Sequence, residues 1–218
     1  MISINPFVVV NVLGLVAFAF VGGTKAIQKG FDPFGVSVVG IMTALGGGTT
    51  RDVLVNRVPI SLQSAGDVTV SLLGVGLAIY AANFVNKADS HPIVLLADAL
   101  GLAAFATTGA IVATEAGLSV FGVAGLALVN AVGGGVLADV LLDQTPFVLV
   151  EDIYATCALI GGTAYWIVSV TEQLSSFGAL ICIATVLSLR VTAIYQDWRL
   201  PTITSISRDD SDQLSKRS

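Results

Sequence analysis

The sequence predicts an all-α integral membrane protein with seven transmembrane helices. They form two inverted three-helix repeats plus a seventh helix. Three observations predict this. The first is composition: 55% of the 218 residues are hydrophobic, 11% are charged, and mean hydropathy is +0.88. A soluble domain is about 25% charged. The second is a pair of glycine triplets inside apolar segments, Gly46-Gly47-Gly48 and Gly133-Gly134-Gly135, followed four residues later by Asp52 and Asp139. The third is that these triplets belong to a longer self-similarity at an offset of 87 residues.

A bilayer core of about 30 Å needs roughly 20 apolar residues per helix. Seven stretches meet that need: 6–25, 34–56, 66–86, 92–114, 119–142, 152–170 and 175–196. Short links carrying Gly, Pro, Asn and Ser separate them. The first stretch lacks a basic leader, and Lys25 and Lys29 follow it, so it reads as a helix and not as a cleavable signal. Placing the N-terminus outside puts Lys25, Lys29, Lys87, Arg190, Arg199, Arg208, Lys216 and Arg217 inside. Only Arg51 and Arg57 then lie outside. That excess predicts a cytoplasmic C-terminus. Residues 197–218 are polar and read as a disordered cytoplasmic tail.

The offset of 87 needs no gap. It pairs Leu13-Gly14-Leu15 with Leu100-Gly101-Leu102, Phe18 with Phe105, Gly22 with Gly109 and Gly30 with Gly117. It also pairs Phe34-Gly35-Val36 with Phe121-Gly122-Val123, Asp52 with Asp139, Pro59 with Pro146 and Gly74 with Gly161. Residues 1–87 are therefore the first repeat, 88–174 the second and 175–196 the seventh helix. Three crossings per copy is an odd number, so the second copy enters the membrane upside down.

Enzyme chemistry has little to work with. His91 is the sole histidine and reads as a loop residue. Cys157 and Cys182 sit in apolar runs and read as small buried hydrophobes. No nucleophile–base pair or metal-ligand spacing is present, so neither catalysis, a bound cofactor nor a nucleic-acid partner is expected.

Two Gly-interrupted apolar segments at matched positions point to a permeation or substrate site. A glycine in a helix interior costs about 1 kcal/mol against alanine, so helices two and five are expected to kink or break at their triplets. Both triplets fall near mid-membrane, where Gly46, Gly47, Gly48 and Gly133, Gly134, Gly135 would face each other across a wet path for a partly dehydrated cation. Thr43, Thr49, Thr50 and Asn130 flank the breaks and offer oxygens to an ion. The alternative is that the glycines only let the helices pack closely, with the hydroxyls bonded back to their own helices.

The charges sort by depth. Asp98 and Asp139 are expected at an inner mouth. Asn11, Arg51 and Asp52 are expected at an outer one. Arg51 reads as a gate or a brace for Asp52. The repeat mate of Arg51 is Ala138, so Asp139 lacks the adjoining cation that Asp52 has. Alternatively, Asp98 or Asp139 caps a helix or pairs with Lys25. Asp139→Asn is expected to reduce cation conductance.

These motifs resemble the trimeric intracellular cation (TRIC) channel family in a prokaryotic form, over about residues 5 to 196. The resemblance rests on Gly-Gly-Gly-Thr-Thr-Arg-Asp at 46–52, its copy at 133–139, and the three-plus-three inverted repeat with a seventh helix. It implies a homotrimer in the prokaryotic cell membrane, surrounded by lipid. Each protomer would carry its own pore, lined by kinked helices two and five and conducting monovalent cations, chiefly potassium. The Lys-Glu-Val motif of animal members is absent, so phosphoinositide control is not carried over. Related bacterial proteins with this repeat are described as glycine transporters, which keeps a small-solute carrier open as the alternative.

Overall fold

The computed structural model describes residues 6–63, 65–85, 91–150, 153–171, 177–196 and 198. The disordered tail expected at 197–218 lies outside them, apart from Trp198. The described chain is helical. In order it forms α1 (Pro6–Gln28), α2 (Pro33–Leu54), α3 (Ile60–Gln63), α4 (Gly66–Ala81), α5 (Pro92–Glu115), α6 (Val120–Leu141), a 3-10 turn (Phe147–Leu149), α7 (Ala155–Ser169) and α8 (Gly178–Tyr195). Four of these helices, at Phe7–Gln28, Pro92–Glu115, Val120–Leu141 and Gly178–Tyr195, are long and apolar enough to cross a membrane. The third and sixth expected spans form shorter apolar helices, α4 and α7. The chain is an integral membrane protein.

Local chemistry sets the helix ends, and it does so twice. Asp32 and Ser119, 87 residues apart, cap α2 and α6 by accepting from the N–H groups of Gly35 and Gly122. Ahead of them Gly30 and Gly117 take φ of +77° and +70°, which a residue with a Cβ rarely adopts. After α2 and α6 the chain turns back through Asn56 and Asp143, both left-handed, at φ of 56° and 53°. It then runs into α3 in the first repeat and the 3-10 turn in the second. These two short turns lie at equivalent positions and are not evident in the hydropathy pattern.

The inner helices are α1 and α5. Helix α1 packs on α2, α4 and α5, and α5 packs on α1, α6, α7 and α8. Helix α8 leans on α5 and α7 and has no counterpart in the first repeat. Contacts across the middle are reciprocal. Phe18 meets Phe105 edge-to-face at 5.1 Å between ring centroids. Gly14 makes room for the Phe105 ring, and its mate Gly101 makes room for Phe18. Residue i meeting j′ while j meets i′ is how a two-fold axis looks.

The structure differs from the sequence reading at the glycine triplets. Helices α2 and α6 run through Gly46–Gly48 and Gly133–Gly135 without an unwound turn. What the glycines do is let two backbones touch. A Cβ built on Gly46 would stand 3.2 Å from the Gly134 Cα, and one on Gly133 the same distance from the Gly47 Cα. A Cβ on Gly47 would collide with the Asn130 carbonyl, and one on Gly134 with the Thr43 carbonyl. Small residues at a crossing give dispersion contact along the whole seam. Unwinding in lipid would leave backbone groups unpaired at several kcal/mol each, more than the helical glycines cost.

Candidate permeation site

Two cavities approach the α2–α6 crossing from opposite ends of the bundle. At one end Lys25, Thr43, Asp98, Gly135, Asp139 and Tyr154 line a cavity of about 20 Å³. At the other end Asn11, Gly48, Thr49, Arg51, Asp52 and Asp67 line one of the same volume. Such a volume holds about one water. Phe18 walls the first cavity and Phe105 the second. The edge-to-face rings and the glycine crossing form the partition between them. Neither phenylalanine stood out in the sequence as a functional residue, although the offset pairs them.

The two triplets divide by role. Gly46, Gly47, Gly133 and Gly134 make the crossing, while Gly48 and Gly135 line the cavities. Most hydroxyls bond within their own helices. Thr43 donates to the Val39 carbonyl at 2.7 Å, and Thr50 donates to Gly46 at 2.9 Å. Thr49 reaches Ser61, with 3.2 Å between the hydroxyl oxygens. Asn130 is fully buried; its amide donates to the Phe105 carbonyl and to Thr108. Its Oδ1 meets no donor and lies 3.9 Å from the position a Gly48 Cβ would take.

Asp52 and Asp139 are buried, each with two engagements. Asp52 Oδ1 accepts from Arg51 Nε at 2.8 Å, with Arg51 Nη2 at 2.6 Å, and Oδ2 accepts from the Ile60 N–H at 3.0 Å. Asp139 Oδ1 meets Lys25 Nζ at 3.0 Å, and Oδ2 accepts from the Phe147 N–H at 2.7 Å. Each aspartate ties the end of its long helix to the turn that follows. The pairing of Asp139 with Lys25 is the alternative that the sequence reading left open. The cation arrives from α1, across the two repeats, and not from the adjoining residue. Arg51 also lies 5.8 Å from the Phe7 ring centroid, which fits a brace.

Beside these pairs sit two further polar couples. Tyr154 donates to Asp98 Oδ1 at 2.9 Å. Asn11 Nδ2 donates to Asp67 Oδ1 at 3.4 Å. Positions 11 and 98 are repeat mates, and so are 67 and 154. Sequence reasoning passed over Asp67 and Tyr154 because their identities differ. It also missed Arg190, counted only as a basic residue near a helix end. Arg190 is buried on α8, donates to the Ile153 carbonyl, and stacks 4.8 Å from the Tyr154 ring centroid and 5.7 Å from that of Phe147. His91 caps α5 through Nδ1, which accepts from the Ile93 N–H. Among the described residues, no group of three or more His, Cys, Asp or Glu is arranged to hold a metal.

Comparison with known proteins follows the same geometry. A family model described as glycine transporter matches twice, over residues 8–83 and 95–170. Both the starts and the ends of the two matches are 87 residues apart. A membrane protein of Deinococcus radiodurans is 36% identical over 88% of this chain and 89% of its own. YvgT of Bacillus subtilis is 33% identical over 88% and 93%. A solved structure concerned with conductance through TRIC cation channels aligns with a TM-score of 0.82 at 34% identity, covering 91% of this chain and 97% of that one. This chain belongs to the TRIC channel family. A TRIC channel orthologue from Rhodobacter sphaeroides also aligns with a TM-score of 0.82, at 26% identity, over 88% of this chain and 98% of its own.

Proposed function

We propose that this protein is a monovalent cation channel conducting potassium, and sodium less favourably. The path runs along the α2–α6 seam within each protomer of a homotrimer. One observation carries the reading: two charged cavities enter from opposite ends and stop at the same thin partition of Phe18, Phe105 and the glycine crossing. Each cavity suits a water or a partly dehydrated ion better than a larger solute. The solved relatives are described as TRIC cation channels, which supports the same reading.

In the conducting form α1, α2, α4, α5, α6, α7 and α8 all span the membrane, and α2 and α6 bend or part at Gly46–Gly48 and Gly133–Gly135. Thr43, Thr49, Thr50 and Asn130 then offer oxygens along the seam. Arg51, Asp52, Asp98, Asp139 and Lys25 make the charged mouths. The positive-inside rule favours the Lys25 end facing the cytoplasm, with the N-terminus outside.

Purified protein in planar bilayers under a KCl gradient tests this. Unitary currents reversing near the potassium potential are expected. Their absence at every voltage, with the protein incorporated and folded, overturns the channel reading. The description of the matching family favours a second reading, a glycine carrier that loads each cavity in turn. Saturable glycine uptake into liposomes without unitary currents would establish that one instead.

A further inference from the structure

We infer that Asp67 and Asp98 are the residues that hold the permeating cation, one in each cavity, while Asp52 and Asp139 serve to lock the helix ends. This rests on the channel reading above and gives its site a specific ligand set.

The four carboxylates differ in what they still have to offer. On Asp52 and Asp139, one oxygen faces a fixed cation and the other takes a backbone N–H. A mobile ion binding there would compete with both. Asp67 and Asp98 each receive a neutral donor, Asn11 and Tyr154, on a single oxygen. The second oxygen of Asp98 is buried and meets no donor. A buried carboxyl left this way is completed either by a proton or by a cationic ligand. The carboxylate also lines the cavity, so a ligand can reach it.

The nearby fixed cations are engaged elsewhere. Lys25, from α1, faces Asp139. Arg190, from α8, donates to the Ile153 carbonyl and stacks on Tyr154 and Phe147. Both lie close enough to lower the cost of a negative charge on Asp98.

The duplication adds an independent line. Between the repeats the acid has changed helices. In the first repeat the neutral partner is on α1 and the acid on α4; in the second the acid is on α5 and the neutral partner at the start of α7. Residue identity is lost, yet each cavity keeps an acid bonded to a neutral donor. The charged linings are also alike: Asp52, Asp67 and Arg51 on one side, Asp98, Asp139 and Lys25 on the other. Each lining carries two carboxylates against one cation, with Arg190 a further cation beside the second. A large solute would need more than this single acid. A monovalent cation with its remaining waters needs no more.

The test uses the full chain in detergent and in bilayers. Thermal unfolding is followed while KCl replaces N-methylglucamine chloride at constant ionic strength. The wild-type midpoint is expected to rise with potassium, since a ligand that binds only the folded state stabilises it. Asp67→Asn and Asp98→Asn should each lose part of that rise, and the double variant all of it, while Asp98→Glu keeps it. Single-channel conductance at low KCl should fall about fivefold in either single variant, the effect of removing one charge about 4 Å from an ion in water. A potassium-dependent rise that is undiminished in both single variants overturns the assignment, as does its absence from the wild type. Potassium binding lost in the variants, without unitary currents in the wild type, keeps the sites and removes the channel. Currents indifferent to both substitutions do the reverse. If the double variant does not fold, the single variants decide.

Discussion

Gly134→Ala and Gly135→Ala differ by one position along α6 and should behave in opposite ways. A methyl on Gly134 lands on the Thr43 carbonyl of α2, whereas a methyl on Gly135 meets nothing within 4 Å. Carbon atoms rest about 3.5–4.0 Å apart, so Gly134→Ala forces the backbones of α2 and α6 to separate by about 1 Å or more. Overpacking of this kind costs about 1–3 kcal/mol. Replacing a helical glycine by alanine returns up to about 1 kcal/mol. Gly134→Ala should therefore lose roughly 1–2 kcal/mol net. Gly135→Ala should be neutral or gain up to about 1 kcal/mol. By the reciprocal contact, Gly47→Ala, which meets the Asn130 carbonyl, should match Gly134→Ala. Thermal unfolding in detergent measures all three. If Gly134→Ala is as stable as the wild type, or Gly135→Ala is equally damaged, the claim that the triplets exist for backbone contact is wrong.

Three further outcomes are expected. Lys25→Met strands the buried Asp139 carboxylate and should cost about 3–5 kcal/mol, much of it recovered in the Lys25→Met, Asp139→Asn double variant; a thermal double-mutant cycle measures the coupling. Phe105→Ala removes half of the partition and should cost about 3–5 kcal/mol while raising open probability in bilayer recordings. Arg57 and Glu115 meet at 3.4 Å with both side chains about half exposed, so Arg57→Ala should change stability by less than about 1 kcal/mol, with no change in conductance.

Much of the fold could be read from the offset of 87, because Phe18, Gly30, Asp32 and Asp52 each have a mate that does the same job. The offset also exposes what like-for-like comparison hides. Asn11 and Asp67 correspond to Asp98 and Tyr154, but donor and acceptor have changed places, so nothing in the identities flags the pair. The glycine triplets were legible as important, and of the two readings open for them the structure shows close packing. A helical glycine costs little, whereas a broken helix in lipid costs much, so the glycines support close contact within intact helices. The pairing of Lys25 with Asp139 was one open alternative. It spans 114 residues, a distance along the chain that no local spacing rule covers. Arg190 looked like one basic residue among several, because burial of a helix-end arginine depends on aromatic rings contributed by the segment before α7.

The glycine crossing is also a fulcrum. Helices α2 and α6 touch along a short glycine-lined seam, with a chamber on either side of it. Tilting one helix over the other about that seam widens one chamber and narrows its opposite by the same lever. Sliding the two apart enlarges both at once. Ions moving in file require the sliding motion, and a carrier requires the tilting one. A cross-link that pins α2 to α6 at the pivot while leaving them free to tilt would silence a pore and spare a pump-like cycle.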